Sequence, residues 1–162
     1  MAVENLISTR VDNFNKGITD DGSVYGVGGF YRDVITTTET STSINSTYRT
    51  HVLASNVIPR LIGVRGNGTT VISAYTLQLF STATQTAYTV IASQALTAVT
   101  SDNRPYNIGS NGVYQSTNPR TLWEIAGLAT DPGGNFHVQI LFTANSSAAG
   151  AIEVYVESLR VA

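Results

Sequence analysis

The sequence predicts an all-β protein, an antiparallel two-sheet sandwich that is jelly-roll-like and built of about eight short strands. Three observations predict it. Apolar and polar residues alternate with a period of two through several segments, and almost nothing shows the 3.6 period of an amphipathic helix. The 162 residues include 22 Thr, 15 Ser and 12 Asn, and β-branched Thr sits well on a pleated surface. Gly, Pro, Asn and Asp recur between the alternating segments, where a chain turns.

Taken in order, the first element is the stretch VITTTETSTSINSTYRTHV, Val34 to Val52. Between Thr36 and Thr47 its one large apolar residue is Ile44, and it holds neither Gly nor Pro. It lacks the side chains of a central strand and the breakers of a linker. A polar edge strand or long ordered loop feeding YRTHVLA is expected, with Thr-rich side chains that discourage unwanted edge pairing. RLIGVRGNGTT reads as a strand running into Asn67-Gly68, a dipeptide suited to a tight turn. In TTVISAYTLQLF, Val71, Tyr75, Leu77 and Leu79 share one face with Ser73, while Ile72, Ala74, Thr76, Gln78 and Phe80 share the other. Arg60 to Phe80 is therefore expected to be a hairpin.

Two further strands are expected in AYTVIASQALTAV and RTLWEIAGLAT, bounded by the turn-rich SDNRPYNIGSNG and TDPGGN. In FHVQILF the residues Phe136, Val138, Ile140 and Phe142 form an apolar face. The return segment AIEVYVESLRV places Ile152, Val154 and Val156 inward and Glu153, Tyr155 and Glu157 outward. These two are expected to pair as an antiparallel hairpin. The organisation that follows is an N-terminal arm or extension over residues 1–35 and a single β-sandwich domain over 36–162.

Composition excludes several functions. Charged residues make up 12% and the net charge is −2, so the basic footprint of a nucleic-acid binder is missing. No apolar run reaches the roughly 18 residues of a membrane span, so a soluble chain with no membrane partner is expected. Without cysteine there is neither a disulfide framework nor a thiolate metal site. MAVENLISTRVDNFNKG lacks the basic start and apolar run of a secretory signal, which points to synthesis in the cytoplasm.

No motif announces a reaction. GVRGNGTT has the spacing of a phosphate-binding loop, but Thr69 stands where the lysine belongs, and strands are expected on both sides. YGVGGFYRD lacks the third glycine of the dinucleotide fingerprint, Tyr31 taking its place, and reads as a bend or bulge. His137 falls on the outward face beside Gln139 and is expected to be a solvated imidazole; His51 has no clustered partner in sequence. VDNFNKG fails as a calcium loop at Phe14 and Lys16, and TDDGS, with Asp20 and Asp21, reads as a turn. The N-x-Ser/Thr triplets at Asn45, Asn67 and Asn145 are what so Ser- and Thr-rich a chain produces by chance. No serine stands in a nucleophile elbow. The expectation is a non-enzymatic protein without cofactor or metal.

A hydroxyl-rich surface with no leader, disulfide or catalytic constellation suits a protein that is made in a cytoplasm and persists outside it. In size and in its pattern of Thr-rich strands and Gly-Asn turns, the whole chain resembles the head decoration (cement) proteins of tailed bacteriophages. That resemblance implies a virion protein that assembles as a homotrimer and binds the major capsid protein on the outside of the head, stabilising it. Within residues 1–35, Phe14, Tyr25, Phe30 and Tyr31 then become possible partner contacts, against the alternative that they pack on the domain's own core. A second reading is a carbohydrate- or receptor-binding β-sandwich of a phage fibre or a carbohydrate-binding module, with Tyr48, Tyr106, Tyr114 and Trp123 as its aromatic candidates.

Overall fold

The computed structural model of the chain describes residues 3, 5–8, 11–12, 30–36, 44–67, 72–96, 102–107, 120–144 and 150–159. Among these described residues nine strands follow in order: β1 (Asn5–Ile7), β2 (Phe30–Thr36), β3 (Thr47–Ala54), β4 (Ile58–Asn67), β5 (Ile72–Ser81), β6 (Thr86–Leu96), β7 (Asp102–Asn107), β8 (Asn135–Phe142) and β9 (Ala151–Leu159). A short helix, α1 (Leu122–Ile125), lies between β7 and β8.

The pairings are nested. β5 turns back as β6, and outward from that turn β4 pairs with β7, β3 with β8 and β2 with β9, all antiparallel. One long hairpin is thus rolled on itself until β4 also meets β9 and β5 also meets β8. The result is two sheets in the orders β1-β3-β8-β5-β6 and β2-β9-β4-β7. This is the jelly roll expected from the sequence, with its eight strands in β2 to β9. β1 is an addition, paired parallel to the outer edge of β3.

Between the sheets lies the core. Tyr48, Tyr75, Leu77, Leu79, Phe136, Val138, Ile140 and Phe142 enter it from one sheet, and Ile35, Ile62, Val64, Ile152, Val154 and Val156 from the other. The period-two alternation read from β8 and β9 therefore names the core-facing sides correctly, and that of β5 separates its two faces, because successive strand residues point to opposite sides. Leu122 of α1 joins the same core. On the outward side of β4, Gly63 leaves the space that the ring of Tyr155 occupies, and a Cβ there would collide with that ring, which is why a strand tolerates glycine at this point.

Tyr75 carries a cost. Its side chain is wholly buried, and its hydroxyl finds no hydrogen-bond partner among the described residues. Burial, then the neighbouring Tyr155, push its ionisation far above the usual phenol range, so it is a neutral, orphaned donor. Tyr75→Phe is expected to stabilise the fold by about 1 kcal/mol, raising Tm by roughly 2–4 °C, and thermal unfolding checks it.

Five local expectations are corrected, the first being that the start of SDNRPYNIGSNG, read as a turn-rich boundary, forms β7. Arg60 to Phe80 is not a hairpin, because β4 and β5 belong to opposite sheets. The same holds for β8 and β9, so the chain crosses the sandwich after Phe142. Alternation fixes which side chains are inward but not which sheet a strand joins. RTLWEIAGLAT forms α1, where a strand was expected; Glu124 reaches back to accept the Thr121 N–H at 2.7 Å and its hydroxyl at 2.8 Å, the T-x-x-E pattern of a helix start. These bonds hold the Glu124 carboxyl below its ordinary value. Finally, the boundary placed at residue 35 falls inside β2, which pairs with β9 over seven positions.

The hairpin that does form, β5 with β6, turns through Thr82 to Gln85. This turn has no glycine. Gln85 takes a φ of 54°, its side-chain amide donates to Thr82 O at 2.7 Å, and the Thr82 hydroxyl donates to Asn135 O at 3.0 Å. Side chains satisfy the backbone where the usual turn residues are missing.

Candidate functional site

The outward face of the five-stranded sheet concentrates the polar geometry. Arg49 on β3 lies in register with Gln139 on β8, Gln139 with Gln78 on β5, and Gln78 with Thr89 on β6. Register partners stand close enough for long side chains to touch. Arg49 Nε donates to Gln139 Oε1 at 2.7 Å, Gln139 Nε2 donates to Gln78 Oε1 at 2.6 Å, and Gln78 Nε2 donates to Thr89 Oγ1 at 3.4 Å. A continuous row of hydrogen bonds crosses four strands.

Beside the row stands an aromatic step. The guanidinium carbon of Arg49 lies 3.5 Å from the centroid of the Phe80 ring, a cation–π contact. Phe80 in turn stacks on His137, its register partner, with centroids 6.2 Å apart and planes 10° from parallel. Arg49 is the one charged residue in the five strands of this sheet. The other sheet is different: Arg32 pairs with Glu153 at 2.7 Å and Arg60 with Glu157 at 2.8 Å across its strands.

His137 corrects the expectation of a solvated imidazole. It does face outward, but only 2% of it is exposed, with Phe80 stacked beside it and the His51 carbonyl bonded to its ring. Its Nδ1–H donates to His51 O at 2.6 Å. His51 is held at a φ of 58° where the β3 register with β8 shifts, the signature of a bulge. The Thr50 hydroxyl donates to Val138 O and so accepts from His51 Nδ1, at 2.9 Å. The His51 N–H donates to the carboxylate of Asp33, which also accepts the Ser8 hydroxyl, tying β2 to the bulge.

Burial lowers the pKa of His137, Arg49's charge acts in the same direction, and the bond to His51 O opposes both. The folded chain therefore resists a proton that the unfolded chain accepts near pH 6.5. Stability is full above that pH and falls as the pH drops below it, by at most about 1.4 kcal/mol per pH unit. His137→Gln is expected to lose less Tm between pH 7.5 and pH 5 than the parent chain, as differential scanning calorimetry would read directly.

The residues predicted as contacts are scattered. Phe14 and Tyr25 lie outside the described residues; Phe30 and Tyr31 lie in β2, opposite Glu157 and Val156. Of the aromatic candidates for sugar, Tyr48 is fully buried with its ring 5.0 Å from Phe142, so it offers no platform. Tyr106 lies in β7, opposite Ile62, Tyr114 lies outside the described residues, and Trp123 is half-buried in α1 against the core. Arg49, Gln78 and Phe80 do not stand out as site residues in the sequence. The one signal in the sequence is charge accounting strand by strand, which isolates Arg49 alone once strand bounds are drawn.

The face offers one cation, planar amides and a hydroxyl, and its histidine is buried and neutral. Among the described residues no three His, Asp or Glu side chains converge as metal ligands. No family model, no curated protein and no solved structure matches the chain.

Proposed function

We propose that the protein is a non-enzymatic virion structural protein, a capsid decoration (cement) protein that assembles as a homotrimer and binds the major capsid protein on the outside of the head. The observation that carries this reading is the jelly roll itself, an architecture that viral capsid domains use. Two features support it. The charged share is only 12%, low for a surface bathed wholly in solvent. Ile7, 40% exposed, lies in β1 at the edge of the five-stranded sheet, and Ile44, 47% exposed, lies three residues before β3; exposed apolar side chains suit a subunit contact. The step from architecture to role is one of analogy, so its test belongs on particles. Light scattering of the purified protein is expected to give the mass of a trimer, and cosedimentation with purified heads is expected to carry it down with them. A monomer that stays in the supernatant contradicts the proposal.

A further inference from the structure

We propose that the outward face of the five-stranded sheet binds a saccharide bearing a carboxylate, a sugar acid, with Arg49 gripping the acid and Gln78 and Thr89, held in line by Gln139, taking ring hydroxyls. This goes beyond the role on a head and does not depend on it. Arg49 has committed only its Nε, to Gln139. Neither of its two Nη nitrogens forms a hydrogen bond or ion pair among the described residues. An Arg fork of this kind matches a carboxylate through two parallel hydrogen bonds.

Several observations agree on the sign and on the chemistry. Arg49 is half-buried, its guanidinium lying against Phe80, and burial lowers its pKa, so its charge lacks the hydration it would have in water. No carboxylate in the sheet's five strands is available to neutralise it. An anion from outside completes the site. The flanking groups are neutral and fixed: Gln139, only 4% exposed, backs the row, while the half-buried Gln78 Nε2 gives one N–H to the row and has a second with no partner among the described residues, and the exposed Thr89 hydroxyl ends it. Three interstrand steps of about 4.8 Å make the row roughly 14 Å long. One cation beside a line of amides and a hydroxyl fits a ligand with one carboxylate among many hydroxyls. Nucleic acid and polyanionic peptides need clustered cations.

The test is a side-chain NMR titration of the full chain with three probes: a glucuronic-acid tetrasaccharide, the neutral glucose tetrasaccharide and acetate. The acidic sugar is expected to shift the Arg49 Nε–H and the amide signals of Gln78 and Gln139, with at least about tenfold tighter binding than either other probe. Arg49→Gln is expected to weaken it about tenfold or more, Arg49→Lys less, since ammonium keeps the charge but not the fork. Gln78→Ala is expected to weaken the sugar and leave acetate unchanged. Arg32→Gln on the other sheet is expected to change nothing. Unaltered affinity in Arg49→Gln, or no shift with the acidic sugar, overturns the site. Acetate binding as tightly as the tetrasaccharide overturns the saccharide, leaving a simple anion site, and glucose binding as tightly overturns the carboxylate.

Discussion

A chain lacking residues 1–36 is expected not to fold. Although this segment reads in sequence as an arm, the structure makes its end a strand of the jelly roll: β2 pairs with β9 along its whole length, and Ile35 is buried in the core. Its removal also deletes β1, frees the edge of β3, and strips Val11, 1% exposed, from the interior. The Asp33 carboxylate that holds the bulge at His51 goes with it, leaving a buried backbone N–H unpaired. Losses of this number exceed the roughly 5–15 kcal/mol by which a domain of this kind is stable. Circular dichroism and amide dispersion by NMR would report a disordered chain. A cooperative unfolding transition in the truncated protein would show that the segment is dispensable and restore its reading as an arm.

Phe142→Ala is expected to destabilise the fold by about 3–5 kcal/mol. The ring is wholly buried at the end of β8 and packs on Tyr48 from β3, so truncation opens a cavity between two large side chains that strand geometry prevents from closing. For a domain of this size the loss corresponds to a fall in Tm of roughly 6–20 °C. Thr143→Ala, one residue on and exposed, is expected to stay within about 0.5 kcal/mol. Urea unfolding of both variants makes the comparison. A loss below about 1 kcal/mol for Phe142→Ala, against the cost usual for a buried ring, would mean that the interior of this end is not packed as described.

The fold class, the inward faces of β8 and β9 and the two-faced pattern of β5 were legible because alternation is a local property, written in neighbouring residues. Strand partners were not, because a jelly roll sends most successive strands to opposite sheets, and nothing local distinguishes a hairpin turn from a crossing. Asn67-Gly68 was the strongest hairpin signal in the chain, yet β4 and β5 part there; TATQ carried none, yet β5 and β6 meet there, held by Thr82 and Gln85. The helix α1 was within reach, since Thr121 and Glu124 have the spacing of a helix start, but its short apolar content resembled a strand. The polar row was out of reach for a different reason. Arg49, Gln139, Gln78 and Thr89 are separated by up to 90 residues along the chain between bonded partners, and only the register of three strand pairs brings them into line. For His137 the alternation indicates the right face and the wrong exposure, because burial on an outward face depends on neighbours such as Phe80 that alternation does not describe.

The proposed capsid role is tested most directly by heating purified heads with and without the protein and following release of the genome. Binding confined to the assembled shell stabilises that state by mass action, so decorated heads are expected to release their genome at a higher temperature, with the shift saturating as the protein fills its sites. Equal release temperatures, or purified virions that contain none of the protein, would contradict a decoration role.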